Sequence, residues 1–144
     1  MSEVSTLQNA VTTEIKAPIG KVWDALTKPE LIKQWFFGVE TITDWKEGGS
    51  IVHKGEWNGK PYEDKGKVIK VAPPTSLVVT HWSSMSGKPD RPENYERVSY
   101  HLAERDSSTE LTITEENLAS EDAKAASAKA WKGALDGLKK LLEK

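Results

Sequence analysis

The stretch APIGKVWDALT (residues 17–27), which continues as PELIKQWF (residues 29–36), predicts two short amphipathic helices. In the first helix the apolar residues follow the i, i+3, i+4, i+7 spacing of one helix face: Ile19, Val22, Trp23 and Leu26. Thr27 and Glu30 have the spacing of a capping box, with Pro29 between them, and they predict the start of the second helix. A helical pair inserted after one strand and before many others is typical of a domain that encloses a hollow.

Strands are predicted over most of the chain on either side of this pair. The predicted strands cover residues 10–16, 39–43, 51–57, 60–71, 77–82, 95–104 and 109–117. Asn58-Gly59 is a strong two-residue hairpin signal, and Pro73-Pro74 forces a turn. Consecutive hairpins of this kind indicate an antiparallel meander. Residues 83–94 are polar and are expected to form a loop, either a lid over a pocket or a plain surface loop.

The C-terminal segment predicts one long helix that begins after Ser120, a natural N-cap. One face carries the apolar residues Ala123, Ala126, Ala130, Trp131, Ala134, Leu135, Leu138, Leu141 and Leu142. Because many of these side chains are small, the helix leaves room for a cavity beneath a curved sheet. Gly133 and Gly137 share a face, so that face is either exposed or closely approached by another part of the chain.

Composition excludes several classes of function. The net charge is −2 and the basic residues are scattered, so there is no electrostatic signature of nucleic-acid binding. Cysteine is absent, which removes thiol catalysis and cysteine-based zinc sites. No apolar run reaches the ~20 residues of a membrane span, and no signal peptide is visible. We therefore expect a single cytoplasmic domain over residues 1–144.

Tryptophan is unusually frequent. The six residues are Trp23, Trp35, Trp45, Trp57, Trp82 and Trp131. Each ring could fill the core or line a ligand cavity, where an apolar body with a polar N–H is useful. The sequence leaves both interpretations open.

Short motifs along nearly the whole chain carry a resemblance to a known family. They are residues 15–18, 22–27, 29–30, 34–36, 48–50, 66–74, 77–82, 109–114 and 131–135, together with Leu138 and Leu142. In this order they resemble the START/Bet v 1-like superfamily and, more narrowly, its activator-of-Hsp90-ATPase-homologue type. The resemblance implies an α+β helix-grip fold. In that fold a curved seven-stranded antiparallel sheet wraps around a long C-terminal helix, and two short helices after strand 1 close one end. It also implies a hydrophobic pocket.

The resemblance and the strand patterns together predict the residues of that pocket. The ligand-binding residues are expected to be Trp35, Phe36, Val68, Trp82, Tyr100, Ile113, Trp131, Leu135 and Leu138. Val79 and Trp82 have opposite parity on one strand, so both can face the pocket only if a bulge or an edge intervenes. Lys70 stands where several relatives carry an acid, and it changes the charge of the pocket if it faces inward.

Two polar side chains are further candidates for the pocket. His81 and Glu115 share strand parity with apolar neighbours. His81 is a potential acid/base group, a ligand hydrogen-bond partner or a structural histidine. The histidines lie on three separate strands without metal-ligand spacing, so no metal site, cofactor or catalytic residue is predicted.

Three functions remain compatible with this sequence. The first is a non-catalytic carrier or sensor of a small hydrophobic molecule such as a lipid, a polyketide or an aromatic compound. The second is a protein-interaction module that contacts the Hsp90 chaperone. The third is a cyclase- or hydrolase-type enzyme that uses the same pocket. Fold alone does not decide among them, and the oligomeric state stays open.

Overall fold

The computed structural model describes residues 7–36, 38–57, 59–83, 89–118 and 120–143. Its helices are α1 (Ile19–Thr27), α2 (Pro29–Trp35) and α3 (Glu121–Leu142). Its strands are β1 (Gln8–Ile15), β2 (Glu40–Thr43), β3 (Ser50–Trp57), β4 (Lys60–Ala72), β5 (Ser76–Ser83), β6 (Glu96–Arg105) and β7 (Ser108–Glu116). The predicted order of elements is therefore confirmed.

The seven strands form one antiparallel sheet in the order β1-β7-β6-β5-β4-β3-β2. Strands β2 to β7 follow each other as a meander, and β1 pairs with β7 at the far edge. The sheet is curved and carries α3 on one side, with α1 and α2 inserted between β1 and β2. This is the helix-grip architecture that the sequence predicts.

Helix α3 is held to β1 at both of its ends. The Nδ2 atom of Asn9 donates a hydrogen bond to the carbonyl oxygen of Lys124 over 2.8 Å. At the other end the backbone N–H of Lys16 donates to Oε2 of Glu143 over 2.9 Å. The predicted N-cap is confirmed, because Oγ of Ser120 accepts from the N–H of Ala123.

Burial along α3 is uneven. The buried residues lie in its second half: Trp131, Ala134, Leu135 and Leu138. In the first half Ala126 and Ala130 are exposed. The helix therefore packs firmly against the core through its leucines, and its alanine-rich first half leaves space beside the sheet.

The start of α2 differs from the prediction. Lys28 is the N-cap residue and makes no side-chain capping bond. The hydroxyl of Thr27 donates instead to the carbonyl oxygen of Trp23, inside α1. The expected capping box is wrong because Thr27 is still the last residue of α1. Asn58 and residues 84–88 lie outside the described residues, so the predicted hairpin turn and lid are described only at their flanks.

The two helix glycines have different surroundings. A Cβ at Gly133 would meet nothing within 4 Å, whereas a Cβ at Gly137 would lie 3.2 Å from the carbonyl oxygen of Trp35. Each alternative that the sequence left open therefore applies to one glycine. Gly137 lets α3 approach the backbone at the end of α2.

Candidate functional site

A cavity of about 280 Å³ lies between the sheet, α2 and the first half of α3. Its walls are formed by Leu26, Ile32, Trp35, Phe36, Val39, Trp45, Ile51, His53, Tyr62, Asp64, Leu77, Val79, His81, Glu96, Val98, Tyr100, Glu115, Ser127, Ala130 and Trp131. Ala130 is exposed, so the cavity reaches solvent beside α3. The volume is close to the lower end of the range for small-molecule sites.

One side of the cavity is an aromatic wall formed by Trp35, Phe36, Tyr100 and Trp131. The Phe36 ring lies 5.2 Å from that of Trp35 and 5.7 Å from that of Trp131. Tyr100 meets Trp131 edge-on, with 5.9 Å between the ring centroids. These distances are within the favourable range for aromatic pairs, so the rings support one another.

A buried indole and a half-buried one fix the backbone around this wall. Nε1 of Trp35 donates to the carbonyl oxygen of Ala25 over 2.7 Å, which ties α2 to α1. Nε1 of Trp45 donates to the carbonyl oxygen of Thr27 over 2.7 Å. Trp45 has a φ of 58°, which a bulky residue rarely adopts. Its indole bond and its place in the cavity lining account for this conformation.

The lining also contains a polar wall, which is formed by His53, Asp64, His81 and Glu115. Each residue comes from a different strand: β3, β4, β5 and β7. His53 is directly opposite Asp64 in the sheet register. Because alternate residues of a strand face the same side, His81 shares its face with the apolar lining residues Leu77 and Val79.

Hydrogen bonds hold the side chains of the polar wall in three separate pairs. Nε2 of His81 donates to Oδ2 of Asp64 over 3.0 Å, and Nδ1 of His53 lies 3.1 Å from Oγ1 of Thr41. The hydroxyl of Ser127 on α3 donates to Oε1 of Glu115. Among the described residues, Oδ1 of Asp64 is buried and has no hydrogen-bond partner.

The pKa values of the two histidines in the polar wall are shifted in opposite directions. Burial, reinforced by the neighbouring His81, lowers the pKa of His53 to about 4. Burial also acts to lower the pKa of His81, but the hydrogen bond and charge of Asp64, with Glu96 and Glu115, raise it above its usual value. Hence His53 is neutral near pH 7, and His81 retains its proton more readily.

The acidic and phenolic groups respond to the same surroundings. Burial acts to raise the pKa of Asp64, but the hydrogen bond and charge of His81 hold it below the ordinary value. Burial, with a contribution from Glu115, raises the pKa of the Tyr100 phenol. Asp64 and His81 therefore form an ion pair, whereas Tyr100 stays a neutral donor. Within the described part of the chain, no group of three or more His, Asp or Glu side chains is arranged for a metal ion.

The structure separates the predicted ligand-binding residues into two sets. Those in the cavity lining are Trp35, Phe36, Tyr100 and Trp131, together with the polar candidates His81 and Glu115. Those outside the lining are Val68, Trp82, Ile113, Leu135 and Leu138. Apart from Trp82, the second set is buried in the hydrophobic core, with exposed fractions of 0–3%. These four residues pack beneath the cavity rather than facing it.

Trp82 lies outside the lining of this cavity. Val79 is in the lining, and Trp82 has the opposite parity on β5. The Trp82 ring stacks on Tyr95 at 6.4 Å, with Nζ of Lys65 5.7 Å from its centroid. The bulge lies in β4 instead, between Val68 and Lys70. Lys70 is exposed and outside the lining, so it adds no charge to the cavity.

Sequence reasoning missed several residues of the site. Asp64 is close to Gly59, and acids near a hairpin tip are usually solvated. Yet β4 has 13 residues, which places Asp64 well inside the sheet. Its parity with Gly66 and Val68 was the available signal. His53, Tyr62, Glu96 and Ser127 were missed because each lies far along the chain from the others.

Comparison with known proteins places this fold in a family. The sequence model of the family described as Activator of Hsp90 ATPase homolog 1-like protein matches residues 16–143. Comparison with functionally curated proteins gives no match. In the described part of the chain, no helix is long and apolar enough to span a bilayer.

Solved structures agree with this placement. ChR145 from Cytophaga hutchinsonii is 44% identical, with a TM-score of 0.83 over 99% of this chain and 97% of that one. CalU16 from Micromonospora echinospora is 27% identical, with a TM-score of 0.73 over 91% and 73% of the two chains. The Aha1 dimer from Colwellia psychrerythraea shares the fold, at 24% identity and a TM-score of 0.76 over 96% and 97%. The chain therefore belongs to the family of Activator of Hsp90 ATPase homolog 1-like proteins.

Proposed function

We propose that the protein binds a small hydrophobic molecule in the cavity and acts as a non-catalytic carrier or sensor. The observation that carries the proposal is the aromatic wall, in which four rings face a cavity of about 280 Å³ that reaches solvent beside Ala130. A flat ligand of one or two rings matches both the volume and the surface. Burial of such a ligand against Trp and Phe is favourable because it removes apolar area from water.

The first half of α3 supports this proposal through its small side chains. A leucine in place of Ala130 would be expected on a helix that only seals a core. Alanine at the cavity lining keeps the opening clear, at the cost of leaving the first half of α3 loosely packed. A protein that stores and releases a ligand needs such an entrance.

A substitution that closes this entrance tests the proposal. Ala130→Phe places a ring at the cavity opening, and Ala126→Phe places the same ring one turn earlier, at an exposed position outside the lining. Calorimetric titration with 2-naphthol is expected to show binding to the unaltered protein and to Ala126→Phe, and at least about tenfold weaker binding to Ala130→Phe.

The indole N–H signals in a proton–nitrogen correlation spectrum locate the ligand. Binding is expected to shift the signals of Trp35, Trp45 and Trp131, which line the cavity, and to leave Trp82 unmoved. If a panel of lipids and aromatic compounds changes neither these signals nor the melting temperature, the proposal fails. Equal binding by the two alanine variants would contradict the location.

A second candidate function is acid/base catalysis in the same cavity. The observation that favours it is the His81–Asp64 ion pair, since a carboxylate-bound imidazolium can give up a proton to a bound molecule. Mass analysis of ligands recovered after prolonged incubation separates the two functions. Recovery of unchanged ligand supports the carrier function. A product that forms with the unaltered protein and not with His81→Gln supports catalysis.

Contact with Hsp90 receives less support from the surface. In the described residues the exposed large apolar side chains are Ile42 and Ile69, which lie on β2 and β4 with β3 between them. A docking patch would require such side chains to be contiguous. A pull-down with the purified chaperone measures this possibility directly.

A further inference from the structure

We infer that the cavity selects a ligand whose polar end donates hydrogen bonds and carries no negative charge, such as a phenol, an alcohol or an ammonium group. This inference rests on the proposed function, because it specifies the chemistry of the ligand that the cavity holds. The balance of charged and hydrogen-bonding groups in the lining supports this selectivity.

Acidic side chains outnumber basic ones in the lining. Asp64, Glu96 and Glu115 contribute three carboxyl groups, and no Lys or Arg is among the described lining residues. The neighbouring acids raise the pKa of His81, whereas burial lowers that of His53 to about 4. The lining therefore places three carboxyl groups beside a single histidine whose protonated form is favoured.

The positive charge of His81 is already engaged. Its Nε2 atom donates to Oδ2 of Asp64, and 33% of the His81 side chain is exposed to the cavity and its opening. A ligand anion would therefore meet an imidazolium that Asp64 neutralises, and it would lie close to further carboxylates. In a partly dehydrated site such repulsion is much stronger than in water.

The wall also has more acceptors than donors. Glu115 is only 5% exposed, and Ser127 supplies a hydrogen bond to one of its oxygens. Asp64 and Glu96 add two further carboxyl groups to the lining. Because a carboxylate oxygen accepts hydrogen bonds, a ligand hydroxyl or ammonium group can donate to the carboxyl groups of the lining. A ligand carboxylate or phosphate cannot.

Four ligands that share the naphthalene ring and differ only in the polar group test the inference. They are naphthalene, 2-naphthol, 2-naphthylmethylammonium and 2-naphthoate. Calorimetry at pH 7 is expected to show 2-naphthol and the ammonium compound binding at least about tenfold more tightly than 2-naphthoate. Equal or tighter binding of 2-naphthoate overturns the inference while leaving the proposed function intact. Absence of binding by all four compounds overturns both.

Two adjacent residues of β7 give a matched pair of variants. Glu115→Gln removes a charge from the cavity, and Glu116→Gln makes the same change on the exposed face of the strand. Glu115→Gln is expected to reduce the preference for the ammonium compound over 2-naphthoate at least about fivefold, whereas Glu116→Gln leaves it unchanged. An unchanged preference in Glu115→Gln overturns the inference.

A second variant guards against loss of folding at the buried site. Glu96→Gln removes a half-buried charge from β6 in the same lining. It is expected to reduce the same preference in the same direction. Circular dichroism and the melting temperature establish that each variant is folded before its ligand preference is measured.

Discussion

The two walls of the cavity are built in different ways. In the aromatic wall Trp35 and Phe36 are neighbours in the chain, and Trp131 lies on the buried face of a single helix. In the polar wall each of the four residues comes from a separate strand. The aromatic wall thus depends mainly on helical residues, with Tyr100 as its contribution from β6, whereas the polar wall depends entirely on strand register. A perturbation of the sheet should therefore damage the polar wall first.

Gly66→Ala is expected to have the largest effect, because it breaks the strand pair that carries Asp64 and His81. A Cβ at Gly66 would lie 1.7 Å from the carbonyl oxygen of Thr80, a backbone atom of the adjacent strand that cannot rotate away. Strands β4 and β5 would have to separate. We expect the free energy of unfolding in urea to fall by about 4 kcal/mol or more.

Gly20→Ala is the control for this change. A Cβ at Gly20, in α1, would meet nothing within 4 Å, so stability should stay equal or rise slightly. If the free energy of unfolding of Gly66→Ala lies within about 1 kcal/mol of that of the unaltered protein, the polar wall does not depend on the register of β4 and β5.

Features that depend on residues close together in the chain could be predicted from the sequence, whereas features that depend on strand pairing could not. The helical stripe of residues 19–26, the strand order and the Ser120 cap depend on nearby residues, and the predictions for them are confirmed. Trp82 and Asp64 depend on which face a strand position occupies and on how far a hairpin extends. Both features depend on how the strands pair, which a single sequence does not specify. Asp64 was therefore missed, and Trp82 was predicted in a lining that the structure forms without it.

The polar wall also predicts how stability depends on pH. The folded-state pKa of His53 is lowered to about 4, so its contribution is present above its unfolded value of about 6.5 and is lost as pH falls toward 4. The folded-state pKa of His81 is raised, so its contribution is present below about 6.5 and is lost as pH rises through the folded value. Stability from this pair should therefore be greatest near pH 6.5.

Urea unfolding between pH 4 and pH 8 measures both limbs of this profile. As pH falls from about 6.5 to 4, the free energy of unfolding should decrease by up to about 3 kcal/mol, and this decrease should be smaller in His53→Gln. The alkaline limb should flatten in Asp64→Asn, which removes the partner that holds the proton on His81. His101→Gln is the control, since His101 is exposed on β6 and outside the cavity lining. A profile that these first two variants do not alter would remove the histidines as its cause.

The smallest expected effect concerns the seam between α3 and α2, which holds the aromatic wall together. Gly133→Ala should stabilise the protein by up to about 1 kcal/mol, because the helix gains a better helix-forming residue and the new methyl group meets no other atom. Gly137→Ala should gain less or lose stability, because its Cβ would lie 3.2 Å from the carbonyl oxygen of Trp35. It should also shift the indole signal of Trp35, which Gly133→Ala should not. Equal stabilisation by both variants, with Trp35 unmoved, would mean that the seam tolerates displacement. The aromatic wall would then owe its geometry to its ring contacts rather than to the close approach of the two helices.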